Sequence, residues 1–294
     1  MQISANGIAL EIEDHGSPAG EPLVLIMGLG MQLIAWHEDF VQILVSRGFR
    51  VIRFDNRDIG LSQNFDHLGL PNLPMEALRL AMRLPVHSPY SLADMANDTA
   101  GLLDVMGIRS AHICGASMGG MVAQQLAARH PQRVKSLTLM MTTSGARRLP
   151  GPSLRVRAAM LSRPDDPQSV DSVVDYYVKL YKLIGSPGYP ATDEYLTRRL
   201  GMSVRRSYRP RGSARQLTAI AADGDRSPLL ARIKAPTQVL HGTDDPLVPV
   251  AAGRDLAEQI ASARLDLIEG MGHDLPVPLW PRFAAGITAA ASRA

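Results

Sequence analysis

The sequence is poor in several things that would otherwise direct its reading. It has one cysteine in 294 residues, Cys114, so no internal disulfide can form and a reducing, cytoplasmic setting is expected. That thiol sits in an apolar run and is expected to act as a small buried hydrophobe. The opening residues Met1-Gln2-Ile3-Ser4-Ala5-Asn6-Gly7 lack the basic and apolar stretches of a secretory leader and lead directly into a strand–turn–strand pattern. No apolar run is long enough to span a bilayer, so no membrane partner is expected. No solenoid-like period recurs. The one arginine-rich stretch, Arg205-Arg206-Ser207-Tyr208-Arg209-Pro210-Arg211, is short and lacks an aromatic stacking platform, which argues against nucleic-acid binding. The rest is ordinary for a globular chain, with 46% hydrophobic and 20% charged residues. The length suits one large α/β domain carrying an insertion.

What stands out is Gly115-Ala116-Ser117-Met118-Gly119-Gly120. It follows Ala111-His112-Ile113-Cys114, a short buried strand by pattern, and precedes helical spacing from Met118 to His130, stopped by Pro131. A serine in G-x-S-x-G at a strand-to-helix turn is the pattern of a nucleophile elbow. The turn is so tight that side chains two residues before and after the serine would meet neighbouring backbone, so both positions need glycine. The bland alternative is an ordinary β-to-α turn, and the surrounding chain decides between them.

Alternating Ile8, Leu10 and Ile12 suggest an edge strand over Ile8–Asp14, and Leu23-Val24-Leu25-Ile26-Met27 a strand covered on both faces. Further strands are expected at Arg50–Phe54, Ser136–Met141, Thr237–His241 and Arg264–Ile268. Helices are expected at Asp39–Arg47, Met75–Arg83, Ser91–Met106, Ala251–Ala261 and Pro276–Ala291, with Ser91 and Asp94 as a capping box. Alternation of apolar strands with helices predicts an α/β architecture: a mostly parallel central sheet with helices on both faces. The long connection from Gln63 to Pro89 is of a length that is usually functional.

Ligands of such sheets bind at the carboxyl ends of the strands. Four strand-end loops carry candidates: the serine turn, Met27-Gly28-Leu29-Gly30, His241 to Pro249, and Glu269-Gly270-Met271-Gly272-His273-Asp274. Serine, then an aspartate, then His273 is the chain order of a Ser-Asp-His hydrolase on this architecture. Ser117 needs a base, and His273 at a Gly-x-Gly-His loop tip is the candidate. The carboxylate that orients the imidazole is Asp244 or Asp245. The Met118 and Leu29 N–H groups are the candidate oxyanion donors, with Gly28, Gly30 and Met31 placed to meet substrate. His112 and His130 are expected to be structural. Asp55 and Arg57 are expected to pin their loop by mutual hydrogen bonds, Gly60 allowing the bend.

On these residues the chain resembles the α/β-hydrolase superfamily over almost its whole length. The family's acid pattern G-x-x-D-x-x-x-P is matched by Gly242, Asp245 and Pro249, which favours Asp245. Asp55 to Ser62 is similar to the family's D-x-R-G-x-G-x-S loop, with Asp58 where glycine is usual, and Met27 replaces part of the common His-Gly pair. Both departures resemble the bacterial subgroup containing aclacinomycin-type methylesterases. The resemblance implies an esterase acting on a small-molecule carboxylic ester, a methyl ester or lactone among the options, without metal or organic cofactor. Acyl transfer, perhydrolysis and carbon–carbon hydrolysis can use the same three residues, and a ligand receptor retaining them is the non-enzymatic rival.

Residues 144–227 interrupt the strand–helix rhythm between the two parts of the core, residues 1–143 and 228–294. Family members carry a cap there, and helical stretches at Ser172–Leu183 and Asp193–Gly201 fit one. The segment holds fifteen Lys/Arg against eight Asp/Glu, while the remainder is net acidic. Solvated helix faces explain this most simply; attraction of anionic substrates is the sharper reading. Met27, Met31, Met118 and Met271 are expected to form an apolar wall for an acyl or alkyl group.

Overall fold

A computed structural model describes all of residues 1–294. Its layering follows from runs such as Leu23-Val24-Leu25-Ile26, in which successive side chains point to opposite faces. Leu23 and Leu25 pack with Trp36, Phe40 and Phe283, whereas Val24 and Ile26 pack with Leu103, Met118 and Leu126. All four are fully buried, each contributing roughly 1.5–3 kcal/mol on leaving water.

The strands are β1 (Gln2–Ala5), β2 (Ile8–His15), β3 (Glu21–Ile26), β4 (Phe49–Phe54), β5 (Ala111–Ala116), β6 (Val134–Met140), β7 (Thr237–Gly242) and β8 (Ala263–Ile268). They form one sheet in the order β1-β2-β4-β3-β5-β6-β7-β8. β1–β2 and β2–β4 are antiparallel, and the other neighbours are parallel. The expected edge strand over Ile8–Asp14 is therefore one place in from the edge. Gln2–Ala5 covers it, a strand whose four residues are too few to show an alternation.

Helices α1 (Glu38–Val45), α2 (Leu73–Ala81), α3 (Leu92–Val105) and α4 (Met118–Arg129) precede the insertion. Between β6 and β7 lie α5 (Leu154–Leu161), α6 (Val170–Ile184), α7 (Asp193–Arg206), α8 (Pro210–Asp223) and α9 (Ser227–Leu230). After β7 come α10 (Ala251–Gln259) and α11 (Trp280–Ala291). The Ser91–Asp94 capping box at the start of α3 is formed in both directions. α1 and α11 cover one face of the sheet, while α3, α4 and α10 cover the other.

Candidate active site

The turn between β5 and α4 has the tight geometry that its glycines require. Ser117 sits at φ +54°, ψ −119°, a conformation costly for any residue with a side chain. A Cβ at Gly115 would lie 2.2 Å from the Gly119 carbonyl oxygen, and one at Gly119 2.0 Å from that of Ile26. The Ser117 N–H donates to Met140 O (2.9 Å), and Thr142 Oγ1 donates to the Ser117 carbonyl (2.7 Å). The hydroxyl is thus held above the end of the sheet by backbone bonds on both sides.

Two loops from later strands reach it. His273 Nε2 lies 3.0 Å from Ser117 Oγ, and His273 Nδ1 lies 2.7 Å from Asp245 Oδ2. Asp245 is buried and its Oδ1 accepts the N–H groups of Leu247 (2.9 Å) and Val248 (2.7 Å). These bonds fix the carboxylate, and a carboxylate on Nδ1 keeps the Nε2 lone pair facing the serine hydroxyl. Asp244 is exposed and serves elsewhere: its Oδ2 accepts the Gly270 N–H at 3.0 Å, steadying the loop that carries His273. His241 is also close to Asp245, but its Nε2–H donates to Val248 O at 2.8 Å and it is fully buried. His112 bonds Ser136 Oγ inside the sheet, and His130 bonds Asn97.

The Met27–Met31 loop lies on the other side of Ser117. A Cβ at Gly28 would lie 3.2 Å from Ser117 Cβ, so this backbone passes directly beside the hydroxyl. Asn56 Nδ2 donates to Met27 O (2.9 Å) and Gln216 Oε1 accepts the Gly30 N–H (2.9 Å). The Leu29 and Met118 N–H groups donate to no atom of the chain. Gly30 at φ +69° faces α8, where an added Cβ would meet Ser213 Oγ at 2.8 Å.

Asn56, Thr142 and Gln216 are missing from the sequence-based candidates. Asn56 lies in the Asp55–Ser62 loop and Gln216 in the insertion, but neither residue type marks such a role.

The expected bonding within Asp55–Ser62 is corrected by the structure. Asp55 accepts from the Leu33 and Leu61 N–H groups and from Arg206, while Arg57 pairs with Asp98 at 2.6 Å. Asp58, at φ +75°, does not leave a glycine's space empty. Its buried carboxylate takes two bonds from Arg215 of α8 (2.6 and 2.7 Å) and one from Tyr90 (2.9 Å). Burial opposes this carboxylate's ionisation, but the Arg215 bonds prevail and hold its pKa below the usual carboxylate value.

The solvated reading of the basic segment holds for most of it, ten of its fifteen Lys/Arg being exposed, and is corrected for a few arginines that reach the core. Arg206 reaches Asp55 (2.7 Å) and Gln32, Arg209 reaches Ser62 O (2.7 Å), and Arg148 reaches Asp255. Arg205 and Arg211 remain exposed. Arg148, Arg206 and Arg215 thus meet carboxylates of the core, while most of the other basic side chains of the insertion face solvent.

Between the strand ends and α5–α8 lies a cavity of about 1260 Å³ that contains Ser117, His273, Gly28, Leu29, Gly30 and Met31 on its wall. Six of the chain's seven tyrosines line it: Tyr176, Tyr177, Tyr181, Tyr189, Tyr195 and Tyr208. Met27 and Met31 belong to the lining, joined by Met121, Met141 and Met160. Met118 and Met271 do not; their side chains are wholly inside the core, because helix and loop backbone, rather than side chain, face the serine at those positions.

The loop carrying His273 is tied to the insertion. The His273 N–H donates to Ile184 O (2.7 Å), and Gly188 N–H donates to Gly270 O (2.9 Å). Ser186 Oγ accepts the Gly272 N–H (2.9 Å) and donates to Asp274 Oδ1. Burial raises the pKa of Asp274 above the usual carboxylate value, against the Ser186 bonds that lower it. Cys114 is fully buried, and burial pushes its thiol pKa up, which leaves it unreactive.

Against known proteins, the family model described as the alpha/beta hydrolase fold matches residues 21–277. A rhodomycin D methylesterase of Streptomyces sp. (strain C5) is 29% identical, the match covering 98% of this chain and 96% of that one. The solved enol-lactonase of Burkholderia xenovorans LB400 is 26% identical, with a TM-score of 0.72 over 99% of this chain and all of that one. A meta-cleavage product hydrolase of Pseudomonas fluorescens shares the fold at a TM-score of 0.77 and 22% identity, covering 100% of this chain and 97% of that one.

Proposed function

The chain belongs to the α/β-hydrolase fold family and is a carboxylic ester hydrolase, and we propose that it works through Ser117, His273 and Asp245 by way of an acyl-enzyme. The observation that carries this reading is one imidazole bridging the elbow hydroxyl (3.0 Å) and a buried carboxylate (2.7 Å). As Ser117 Oγ attacks the ester carbonyl carbon, His273 Nε2 takes the hydroxyl proton. The Asp245 carboxylate stabilises the resulting imidazolium. The free Leu29 and Met118 N–H groups receive the oxyanion. Collapse breaks the bond to the alkoxy oxygen, which leaves with the proton from His273. Water then repeats the sequence on the acyl-enzyme, and the acid is released with Ser117 restored.

The insertion over residues 144–227 acts in this reading as a cap whose tyrosines and aliphatic side chains hold a bulky, largely apolar acyl group. Methyl esters of such acids are the favoured substrates, in line with the methylesterase relative, and lactones come second. A panel of methyl esters, p-nitrophenyl esters of graded chain length and lactones tests the class. A fluorophosphonate probe tests the nucleophile. Labelling confined to Ser117, and lost in Ser117→Ala, is expected; turnover that survives Ser117→Ala sinks the proposal.

A further inference from the structure

Nine of the fifteen large apolar side chains that stand exposed fall in two short segments, residues 66–84 and α5. α2 is turned inside out. Met75, Leu78 and Leu80 face solvent, while Glu76 is buried and its Oε2 accepts the His87 N–H at 2.8 Å. On α5, Leu154 is 82% exposed and Leu161 67%. Helices of water-facing surfaces put their apolar stripe inward. Scattered exposed leucines need no explanation, but a cluster of them marks an interaction surface.

The two segments border the same cavity. Leu70 and Leu73 on one side, and Pro152 and Leu161 on the other, border the cavity that holds Ser117. Their charge is mainly positive. Arg83, Arg155 and Arg157 are exposed among these leucines, and Arg163 follows the end of α5. Of the nearby carboxylates, Asp66 is committed to Arg215 (2.8 Å) and Glu76 is turned inward; Asp165 and Asp166 lie beyond the end of α5. An apolar face carrying arginines suits the boundary of an anionic lipid layer. A second copy fits poorly, because it would set these arginines against their own like.

We propose that α2 and α5 dock this protein on anionic lipid surfaces, with the cavity mouth opening into the interface. No helix is long and apolar enough to cross a membrane, and surface attachment needs none. The expectation that no membrane is involved rested on spanning length and does not bear on this mode. The docking itself is independent of the ester-hydrolase reading; only the route of an apolar ester from lipid to Ser117 rests on it.

Flotation of the full chain with phosphatidylcholine vesicles, with and without a third phosphatidylglycerol, tests this directly. Binding to the phosphatidylglycerol vesicles is expected to be at least about tenfold tighter and to weaken in 0.5 M salt. The double variant Leu78→Glu/Leu154→Glu should lose that binding by about tenfold or more while hydrolysing water-soluble p-nitrophenyl acetate at the unaltered rate. Arg155→Gln/Arg157→Gln should flatten the preference for anionic vesicles. Absence of flotation with either vesicle overturns the proposal, as does flotation unaffected by the double glutamate variant. A dimer in sedimentation that the glutamates dissociate, without lipid binding, assigns the face to self-association and likewise overturns it. Failure of the hydrolase reading would look different: no ester turnover, with flotation intact.

Discussion

The sheet and the inserted helices are held by different physics. The sheet is apolar on both faces, and its strands β3, β5 and β7 are buried almost end to end. The insertion has little core of its own, a cluster of Val174, Leu196 and Leu200 with half-buried tyrosines around it. Beside the apolar contact of Ala219 and Ile220 with the main core, it is fastened to the strand-end loops by polar groups: Arg206 on Asp55, Arg215 on Asp58, Gln216 on Gly30 and Ser186 on the His273 loop. Apolar packing tolerates exchange of similar shapes, whereas a buried polar contact is costly once one partner is lost. In the function proposed above, chemistry belongs to the apolar sheet, and the choice and admission of substrate to an insertion tied on by a few specific polar contacts.

The largest expected effect separates those roles. Ser117→Ala should lower the rate by about 10⁴-fold or more and leave the fold intact, since the change removes one oxygen at the end of the sheet. The measurement is steady-state turnover beside thermal unfolding. A rate within tenfold of the parent would end the assignment of chemistry to the sheet.

Next comes the joint itself. Asp58→Asn takes from the buried Arg215 guanidinium its buried countercharge and leaves it only the half-exposed Asp66, at 2.8 Å. Breaking one side of such a pair costs about 3–5 kcal/mol. Urea unfolding should show this loss, whereas Arg205→Gln, at an exposed position of the same basic stretch, should change stability by less than about 0.5 kcal/mol. Equal effects would mean that the basic residues are interchangeable and the joint is not specific.

This difference also explains what could be read from the sequence. The sheet was legible because its strands are continuous apolar runs ending in glycines that sterics demand, and the three strand-end loops follow from it. Asp245 could be told from Asp244 only through a family pattern, since neighbouring residues look alike until the turn that orients them is known. The insertion was half legible. α6 and α7 show through their periodicity, but α5 turns Leu154 and Leu161 to solvent and so has no inward stripe to detect. α8 buries Arg215, Gln216 and Thr218, residue types that ordinarily signal an outer face. Asn56 and Gln216 act on backbone far along the chain, and nothing local marks such a role.

A smaller effect tests the tie between the two halves. Ser186→Ala removes the acceptor of the Gly272 N–H and the hydroxyl donor to Asp274 while leaving the His273 N–H bond to Ile184 in place. One buried hydrogen-bonded hydroxyl is worth about 1–3 kcal/mol. If the insertion helps to hold the imidazole, kcat should fall by about tenfold with KM little changed, and Ser186→Thr should restore most of it. A loss confined to KM would place Ser186 with substrate binding instead.

The smallest effect lies within the sheet and depends on pH. His241 is fully buried; its Nε2–H is bonded to Val248 O, and its Nδ1 has no partner. Burial holds its pKa below the ordinary 6.5, so the folded protein refuses a proton that the unfolded chain accepts. His112 is shifted the same way, by burial first. The sign follows: where the unfolded state binds more protons, stability falls as pH falls. This contribution is intact above about pH 6.5 and is lost below it, by at most about 1.4 kcal/mol per pH unit for each group. The urea midpoint should decline from pH 7.5 to 5.5, and His241→Gln, which can keep the bond to Val248, should decline less steeply. The difference between the two slopes isolates the histidine from the carboxylates, which are common to both proteins. Identical slopes would show that His241 titrates as freely in the folded sheet as in the unfolded chain, and the sheet would then be less sealed at this end than its packing indicates.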